Sequence, residues 1–325
     1  MPTSSTILIT GGAGFVGRHL IQELQRYQPD VRLVVWDQTL AGLPAGVTGE
    51  MIDITQPRSY QVSLAQHRPD WVIHLAAVSA VGESLRDPGR ARQINFEASC
   101  ALLATVAEES PPSKLLVVST ADIYGQGAAT PLPELPLAQA HPRNPYGQTK
   151  WEMEQHVEQH YLDRVIRVRP FPHIGPGQRP GFVTADFASQ IAAIEAGQQE
   201  PVMAVGNLTA QRDFTDVRDV VRAYRLLLRH GVMGEVYHVA SGQAVSIKTI
   251  LDEFLELTTA TITVAQDQER LRPVDVPILV GDASKLKAVT HWQPAIPLQQ
   301  SLHDILEWWR HTPPSYKSRG TSATR

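Results

Sequence analysis

Apolar residues in the first half of the chain fall in short unbroken runs, separated by longer stretches of mixed character. The runs lie at residues 6–9, 31–36, 71–75, 115–119 and 165–168. The first, Thr6-Ile7-Leu8-Ile9, ends at a cluster of glycines, as a buried parallel strand does. Behind it Val16, Leu20 and Leu24 recur at four-residue spacing, the stripe of a helix lying on a sheet. The stretches between runs are long enough for crossover helices. The pattern therefore predicts an α/β fold built on a doubly wound parallel sheet. Most residues of these runs serve only as sheet core.

Beyond residue 170 the pattern loosens. Residues 170–180 are dense in proline and glycine, so the chain is expected to leave the sheet there. Residues 187–194 and 217–228 read as helices, and a strand near 236–240 is expected to return to the sheet. Residues 301–309 read as a closing helix with Leu302, Ile305, Leu306 and Trp309 on one face. The same periodicity makes Trp308-Trp309 packing residues rather than ligand contacts. The expected organisation is a dinucleotide-binding Rossmann domain over 1–170, a mainly substrate-binding region over 171–310, and a frayed tail over 311–325.

Composition narrows the classes. A chain of 325 residues with 42% hydrophobic content can bury a large core. Its 29 basic and 33 acidic residues give a formal charge of -4 with no basic run, which argues against a nucleic-acid partner. Cys100 is the single cysteine, so no intrachain disulfide forms and a reducing compartment is expected. Met1-Pro2-Thr3-Ser4-Ser5 lacks the regions of a signal peptide, and no apolar run reaches the ~18 residues of a membrane span. These features point to a cytoplasmic protein. The histidines are scattered, and His156 with His160 have no further ligand nearby, so no metal site is expected.

Candidate chemistry begins at Thr10-Gly11-Gly12-Ala13-Gly14-Phe15-Val16-Gly17. Gly11 permits a tight turn out of the strand, Gly14 lets backbone approach a pyrophosphate, and Gly17 allows close helix–sheet packing. Asp37, 20 positions beyond Gly17, closes the second strand. Its carboxylate there binds adenosine ribose hydroxyls and repels a 2′-phosphate, favouring NAD(H) over NADP(H). The plainer alternative is a turn cap.

Downstream stands Asn144-Pro145-Tyr146-Gly147-Gln148-Thr149-Lys150. Tyr146 needs a pKa below its free value of ~10 to exchange protons near neutrality. Lys150, one helical turn on, is expected to stabilise the phenolate. Thr120, at the end of the 115–119 strand, can hydrogen-bond a substrate carbonyl. Asp122 projects into the same site or binds its own turn backbone; the residues alone leave both open. Arg212 and Arg272 can pair with a diphosphate bidentately, whereas Arg218 reads as a surface ion pair.

These motifs, with His74-Leu75-Ala76-Ala77, Asn95 and Tyr124-Gly125, resemble the extended short-chain dehydrogenase/reductase family in its nucleotide-sugar branch, over residues 6 to 310. The resemblance implies a Thr120-Tyr146-Lys150 triad, Gly11, Gly14, Phe15, Val16 and Gly17 on the cofactor, Asp53 and Ile54 at adenine, and Leu75, Ala76 and Ala77 beside nicotinamide. Without it, Asp53 is a loop acid and Asn95 a solvent-facing helix residue. Phe171-Pro172-His173-Ile174-Gly175-Pro176-Gly177-Gln178, Gly181-Phe182-Val183, Gln211-Arg212-Asp213-Phe214 and Leu271-Arg272-Pro273 are similar to members that modify GDP-sugars. His173, Val183, Arg212 and Arg272 are the substrate contacts this implies, with Thr120 and Asp122.

The implied activity is reduction of GDP-4-keto-6-deoxy-D-mannose to GDP-D-rhamnose by NAD(P)H, in a homodimer. A GDP-mannose 4,6-dehydratase, a nucleotide-sugar 4-epimerase and a non-catalytic NAD-binding regulator are the alternatives. Two departures bear on it. Many members carry asparagine where this chain has Pro172, so that contact is lost or passes to a neighbour such as His173. Asp122 stands where related dehydratases carry a glutamate, one methylene longer.

Overall fold

The structure, a computed structural model, describes residues 5–127, 130–271 and 276–312. The first half supplies β1 (Thr6–Thr10), β2 (Arg32–Asp37), β3 (Thr48–Met51), β4 (Trp71–His74), β5 (Lys114–Val118) and β6 (Val165–Pro170). The second supplies β7 (His173–Ile174), β8 (Val202–Val205), β9 (Gln211–Asp213), β10 (Thr215–Asp216), β11 (Val236–Val239), β12 (Ala244–Ser246), β13 (Thr263–Gln266) and β14 (Ile278–Leu279). One seven-stranded parallel sheet runs in the order β11-β6-β5-β4-β1-β2-β3. The order reverses between β1 and β4, where crossovers diverge to opposite sides and open a crevice at the strands' carboxyl ends. The expected strand near 236–240 is β11, at the sheet edge beside β6.

Helices cover both faces. They are α1 (Phe15–Tyr27), α2 (Arg58–His67), α3 (Val81–Arg86), α4 (Pro88–Arg92), α5 (Ser99–Glu109), α6 (Pro145–His160), α7 (Val183–Glu195), α8 (Val217–His230), α9 (Ile247–Glu256), α10 (Ser284–Thr290) and α11 (Leu298–Arg310). One core joins α1 and α8 to the sheet through Leu20, Ile21, Leu24, Val220, Tyr224 and Leu227. A second packs Tyr60, Leu102, Leu103, Met153 and Val157 on the opposite face. A third unites α7, α9 and α11 around Ile191, Phe254, Ile305 and Trp309. Trp309 is buried there, while Trp308 is partly buried against the same cluster.

Because α8, β11 and Trp292 join the core of the first half, the chain passes between the two halves more than once. Short sheets β7/β10, β9/β12/β14 and β8/β13 fix the excursions. Of the 311–325 stretch, residues 313–325 lie outside the described residues. No helix among the described residues is long and apolar enough to cross a membrane.

Glu50 in β3 ties the sheet edge to α2. Its carboxylate accepts from Trp36 Nε1 at 3.0 Å and from Ser63 Oγ, and meets His67 Nε2 at 2.7 Å. Burial works against this charge, but the bonds from Ser63, His67 and Trp36 outweigh it and hold its pKa below the ordinary value. A carboxylate with a lowered folded pKa contributes stability that is complete above its unfolded value and lost as pH falls through the folded one. Glu50→Gln should therefore show a smaller drop in melting temperature than the native chain between pH 7 and about pH 3. Equal drops in a thermal melt series would remove Glu50 from the acid response.

Candidate active site

The crevice between β1 and β4 is shaped by a missing side chain. Gly11 turns at φ +70, and a Cβ there would lie 2.8 Å from the Ala76 nitrogen. Only glycine both adopts this turn and permits that approach. Gly17 is as tightly enclosed, since a Cβ would meet Gly12 Cα at 2.5 Å. Gly14 differs: it is exposed, and an added Cβ would meet only Gly11 O, at 3.1 Å. It is the N-cap of α1 with no side-chain cap, so the first turn presents its amides to an open face. These residues fit a dinucleotide pyrophosphate.

Phe15 and Val16 stand half-buried on that first turn. Asp37 closes β2, and its Oδ2 accepts from the Ala13 amide at 3.0 Å, so it adjoins the glycine turn. Asp53 accepts from the amide and hydroxyl of Thr55, which hold its pKa down, and Ile54 beside it is buried. Leu75, Ala76 and Ala77 continue β4, half-exposed at the crevice floor.

A buried chain supports that floor. Thr10 Oγ1 meets His74 Nδ1 at 2.8 Å, and His74 Nε2 meets Ser99 Oγ at 2.8 Å. Burial, with the Lys150 charge, pushes the His74 imidazole down to about 3, so it is neutral. Asn95 corrects the reading that left it facing solvent without the family pattern. It is fully buried in a π-helical turn, accepts from Val78 N at 2.8 Å and donates to Val78 O at 3.0 Å and Thr149 Oγ1 at 3.2 Å. It thus ties the loop after β4 to α6. No local signal marks this, because both partners are distant in sequence.

Thr120, Asp122, Tyr146 and Lys150 converge at the end of β5. Asn144 caps α6 by accepting from Gly147 N at 2.8 Å, and Pro145 opens the helix, which sets Tyr146 in its first turn. Thr120 lies close enough to act on the Tyr146 phenol. Thr120 Oγ1 also accepts from Asp122 N at 3.1 Å. Lys150 is 2% exposed, and its Nζ donates to Val118 O at 2.8 Å.

The expected lowering of the Tyr146 pKa does not occur. Burial and then the Asp122 charge drive it upward, with Thr120 acting in the other direction. Burial likewise lowers Lys150 to about 8, opposed by Glu154. Tyr146 is a protonated phenol, and the lysine is directed to the strand-end carbonyl.

The second half closes the other side. The His173 ring stacks on Phe15 with centroids 6.2 Å apart and an 8° interplanar angle, and Nδ1 lies 3.2 Å from Phe171 O. Burial lowers its pKa despite that carbonyl contact. Val183 begins α7, half-buried. Arg212 Nη1 donates to Gln211 O at 2.8 Å and Val276 O at 2.6 Å. Arg272 lies outside the described residues. Arg218 is an ion-pair residue, joined to Asp216 at 2.7 Å and Asp304 at 2.8 Å.

Sequence reasoning passed over Asp213, Gln126, Arg143 and Gly147. Asp213 is buried and accepts from Ser241 N at 2.7 Å, Gly242 N at 2.9 Å and Gly281 N at 3.2 Å, which anchors the strand bearing Arg212. Gln126 and Arg143 line a recess with Asp122, Asn144, Val276 and Leu279. Among the described residues, no group of three or more His, Cys, Asp or Glu side chains is arranged to hold a metal ion.

Comparison with known proteins agrees with this geometry. The family model described as GDP-mannose 4,6 dehydratase matches residues 8–305. GDP-6-deoxy-D-mannose reductase of Pseudomonas aeruginosa is 37% identical over 306 residues, 93% of this chain and 96% of the relative. GDP-6-deoxy-D-talose 4-dehydrogenase of Aggregatibacter actinomycetemcomitans is 29% identical over 282 residues, 86% of this chain and 89% of the relative. The solved structure of RMD from Pseudomonas aeruginosa complexed with NADPH superposes with a TM-score of 0.82 at 35% identity, covering 94% of this chain and 99% of that one.

Gly147 yields a prediction. A Cβ at this position would lie 2.7 Å from Asp122 O, so its absence lets α6 approach the turn bearing Thr120. Gly147→Ala should displace Tyr146 from Thr120 and lower turnover about 10²-fold, the scale of an ångström of misplacement, with a smaller effect on cofactor affinity. Native turnover in the alanine variant would show that the close approach has no catalytic role.

Proposed function

The chain belongs to the GDP-mannose 4,6-dehydratase family of extended short-chain dehydrogenase/reductases, and from that membership we propose that it reduces GDP-4-keto-6-deoxy-D-mannose to GDP-D-rhamnose with NAD(P)H. The observation that carries this reading is the convergence of Thr120, Tyr146 and Lys150 where β5 meets the start of α6, with burial and the Asp122 charge raising the Tyr146 phenol. A phenol that holds its proton is suited to give it to a forming alkoxide, the need of a carbonyl reduction. Identity to the Pseudomonas reductase over nearly the whole of both chains supports the substrate.

When bound, the dinucleotide supplies the hydride for C4 of the keto sugar. The first turn of α1, at Phe15, Val16 and Gly17, would hold the pyrophosphate where Gly11 and Gly14 let it approach, their own amides being donated to Trp36 O and Gly11 O, and Asp53 with Ile54 would border adenine. Leu75, Ala76 and Ala77 would back the nicotinamide, and Lys150 would hold its ribose. Tyr146 delivers its Oη proton to the oxygen on C4, while Thr120 donates a hydrogen bond to that oxygen. Arg212 and Arg272 grip the diphosphate, with His173 and Val183 on the sugar-nucleotide wall. In this reading residues 1–170 carry the cofactor and 171–310 mainly the substrate, in a cytoplasmic homodimer.

Asp37 favours NAD(H), because its carboxylate accepts ribose hydroxyls and repels a 2′-phosphate. The Pseudomonas relative was solved with NADPH, which makes this preference a point to measure. A second reading, 4,6-dehydratase activity, draws on Asp122, whose charge acts on Tyr146 as a neighbouring acid or base would.

Three expected outcomes follow from these roles. Tyr146→Phe should keep NADH affinity and lose about 10²–10⁴-fold in turnover, the usual range for a general acid; near-native turnover would exclude Tyr146. Asp37→Ser should weaken NADH and improve relative use of NADPH in kcat/KM, whereas a native preference for NADPH would show that Asp37 does not select the nucleotide. With GDP-4-keto-6-deoxy-D-mannose the enzyme should oxidise NADH stoichiometrically. Conversion of GDP-mannose to the keto sugar, with no NADH oxidation on the keto sugar, would make it a dehydratase.

A further inference from the structure

Behind the catalytic helix lies a buried cluster of charges that the proposed reaction does not use. Glu154 is fully buried one helical turn beyond Lys150 on α6. Arg169 of β6, 1% exposed, grips it through Nε to Oε1 at 2.9 Å and Nη2 to Oε2 at 2.8 Å. Arg167 Nη1 lies 3.8 Å from the same carboxylate. Arg169 is itself held: Nη1 donates to Tyr124 Oη at 2.8 Å and to Leu135 O at 2.7 Å. Tyr124 Oη meets His238 Nε2 on β11.

We propose that Glu154, locked by Arg169, is a positioning residue that keeps the Lys150 ammonium charged at the cofactor site. The argument is one of charge balance in a dry region. Glu154 faces Lys150 on its own helix and Arg169 and Arg167 on β6, and Arg167 is paired more closely, at 2.6 Å, with the half-exposed Glu158. Removing it would leave Lys150 and Arg169 without a counterion, while Arg167 keeps Glu158. Guanidinium does not give up its proton, but a buried lysine does. The lysine is therefore where the imbalance is discharged.

The surroundings point the same way. Lys150 is pulled down to about 8 by burial, and Glu154 is the group opposing that descent. His74, facing it from β4, is neutral and provides no counter-charge. Tyr146 on the same helix holds its proton, and Asp122, on the turn after β5, acts on Tyr146. Arg169 sets the carboxylate's geometry, since both its oxygens are fixed by one rigid fork.

The proposal rests on the placement of Lys150 at the nicotinamide ribose and is independent of the sugar. It is tested by the dissociation constant of NADH, read from cofactor fluorescence between pH 6 and pH 10, for the native chain, Lys150→Met, Glu154→Gln and Glu154→Asp. The native chain should lose affinity as pH rises through the lysine's titration, and Lys150→Met should lack that limb. In Glu154→Gln the midpoint should fall by about one pH unit, a tenfold change in the charged-to-neutral ratio. Glu154→Asp keeps the charge and should restore the native midpoint.

The double variant Glu154→Gln/Arg169→Met removes both partners, an exchange that buried pairs often tolerate. It should show a smaller downward shift than Glu154→Gln, because one buried cation leaves with the carboxylate, and it serves if the single variant does not fold. A uniform loss of affinity with an unmoved midpoint would make the pair a plain structural brace and overturn the proposal. Survival of the limb in Lys150→Met would also overturn it.

Discussion

The approach of the first glycine turn to the end of β4 sets the geometry on which the candidate site depends. Ala76 nitrogen would be 2.8 Å from a Gly11 Cβ, a distance at which no side chain fits. Thr10, His74 and Ser99 bind β1, β4 and α5 through one neutral imidazole, so this contact is held from below without a buried charge. The crevice above it inherits its depth from that closeness. One face is walled by the first turn of α1, the other by α6. Asn95 then carries the same constraint sideways, from the loop after β4 into Thr149 of the catalytic helix.

The central sheet was legible because its inner strands are covered on both faces. Residues of β1 and β4 are all buried, and such strands appear in sequence as unbroken apolar runs. β3 was not legible: Thr-Gly-Glu-Met lies at an edge with no buried residue, and register with β2 defines it rather than apolar content. The two- and three-residue strands β7, β9, β10, β12 and β14 were invisible because runs that short carry no readable period, whether buried or not. The glycine turn, Tyr146 and Lys150 could be read because their spacing is local. Asn95, Asp213 and the Glu154–Arg169 pair could not, because polar side chains at buried positions look like surface until their distant partners are known.

Tyr146 shows where local spacing misleads. Lysine four residues on suggests a lowered phenol, yet the lysine reaches the Val118 carbonyl and burial dominates both groups. Desolvation moves the phenol and the ammonium towards their neutral forms, against the direction that mutual attraction would give. The site is thereby biased to hold a proton on oxygen. That bias suits an enzyme whose substrate arrives as a ketone, and it comes from packing rather than from the two-residue motif.

The placement of β11 has a consequence for how the chain is made. β6 ends at Pro170 and its partner β11 begins at Val236, so about 65 residues separate them in synthesis. At roughly 5–20 residues per second, the edge of β6 is open for several seconds on the ribosome. An open apolar edge invites pairing with other chains. This one carries Arg167 and Arg169 within the strand and ends in proline, so the emerging edge bears charge at alternate positions. The arginines that pair with Glu154 and Glu158 thus also set charge along the strand that waits for β11.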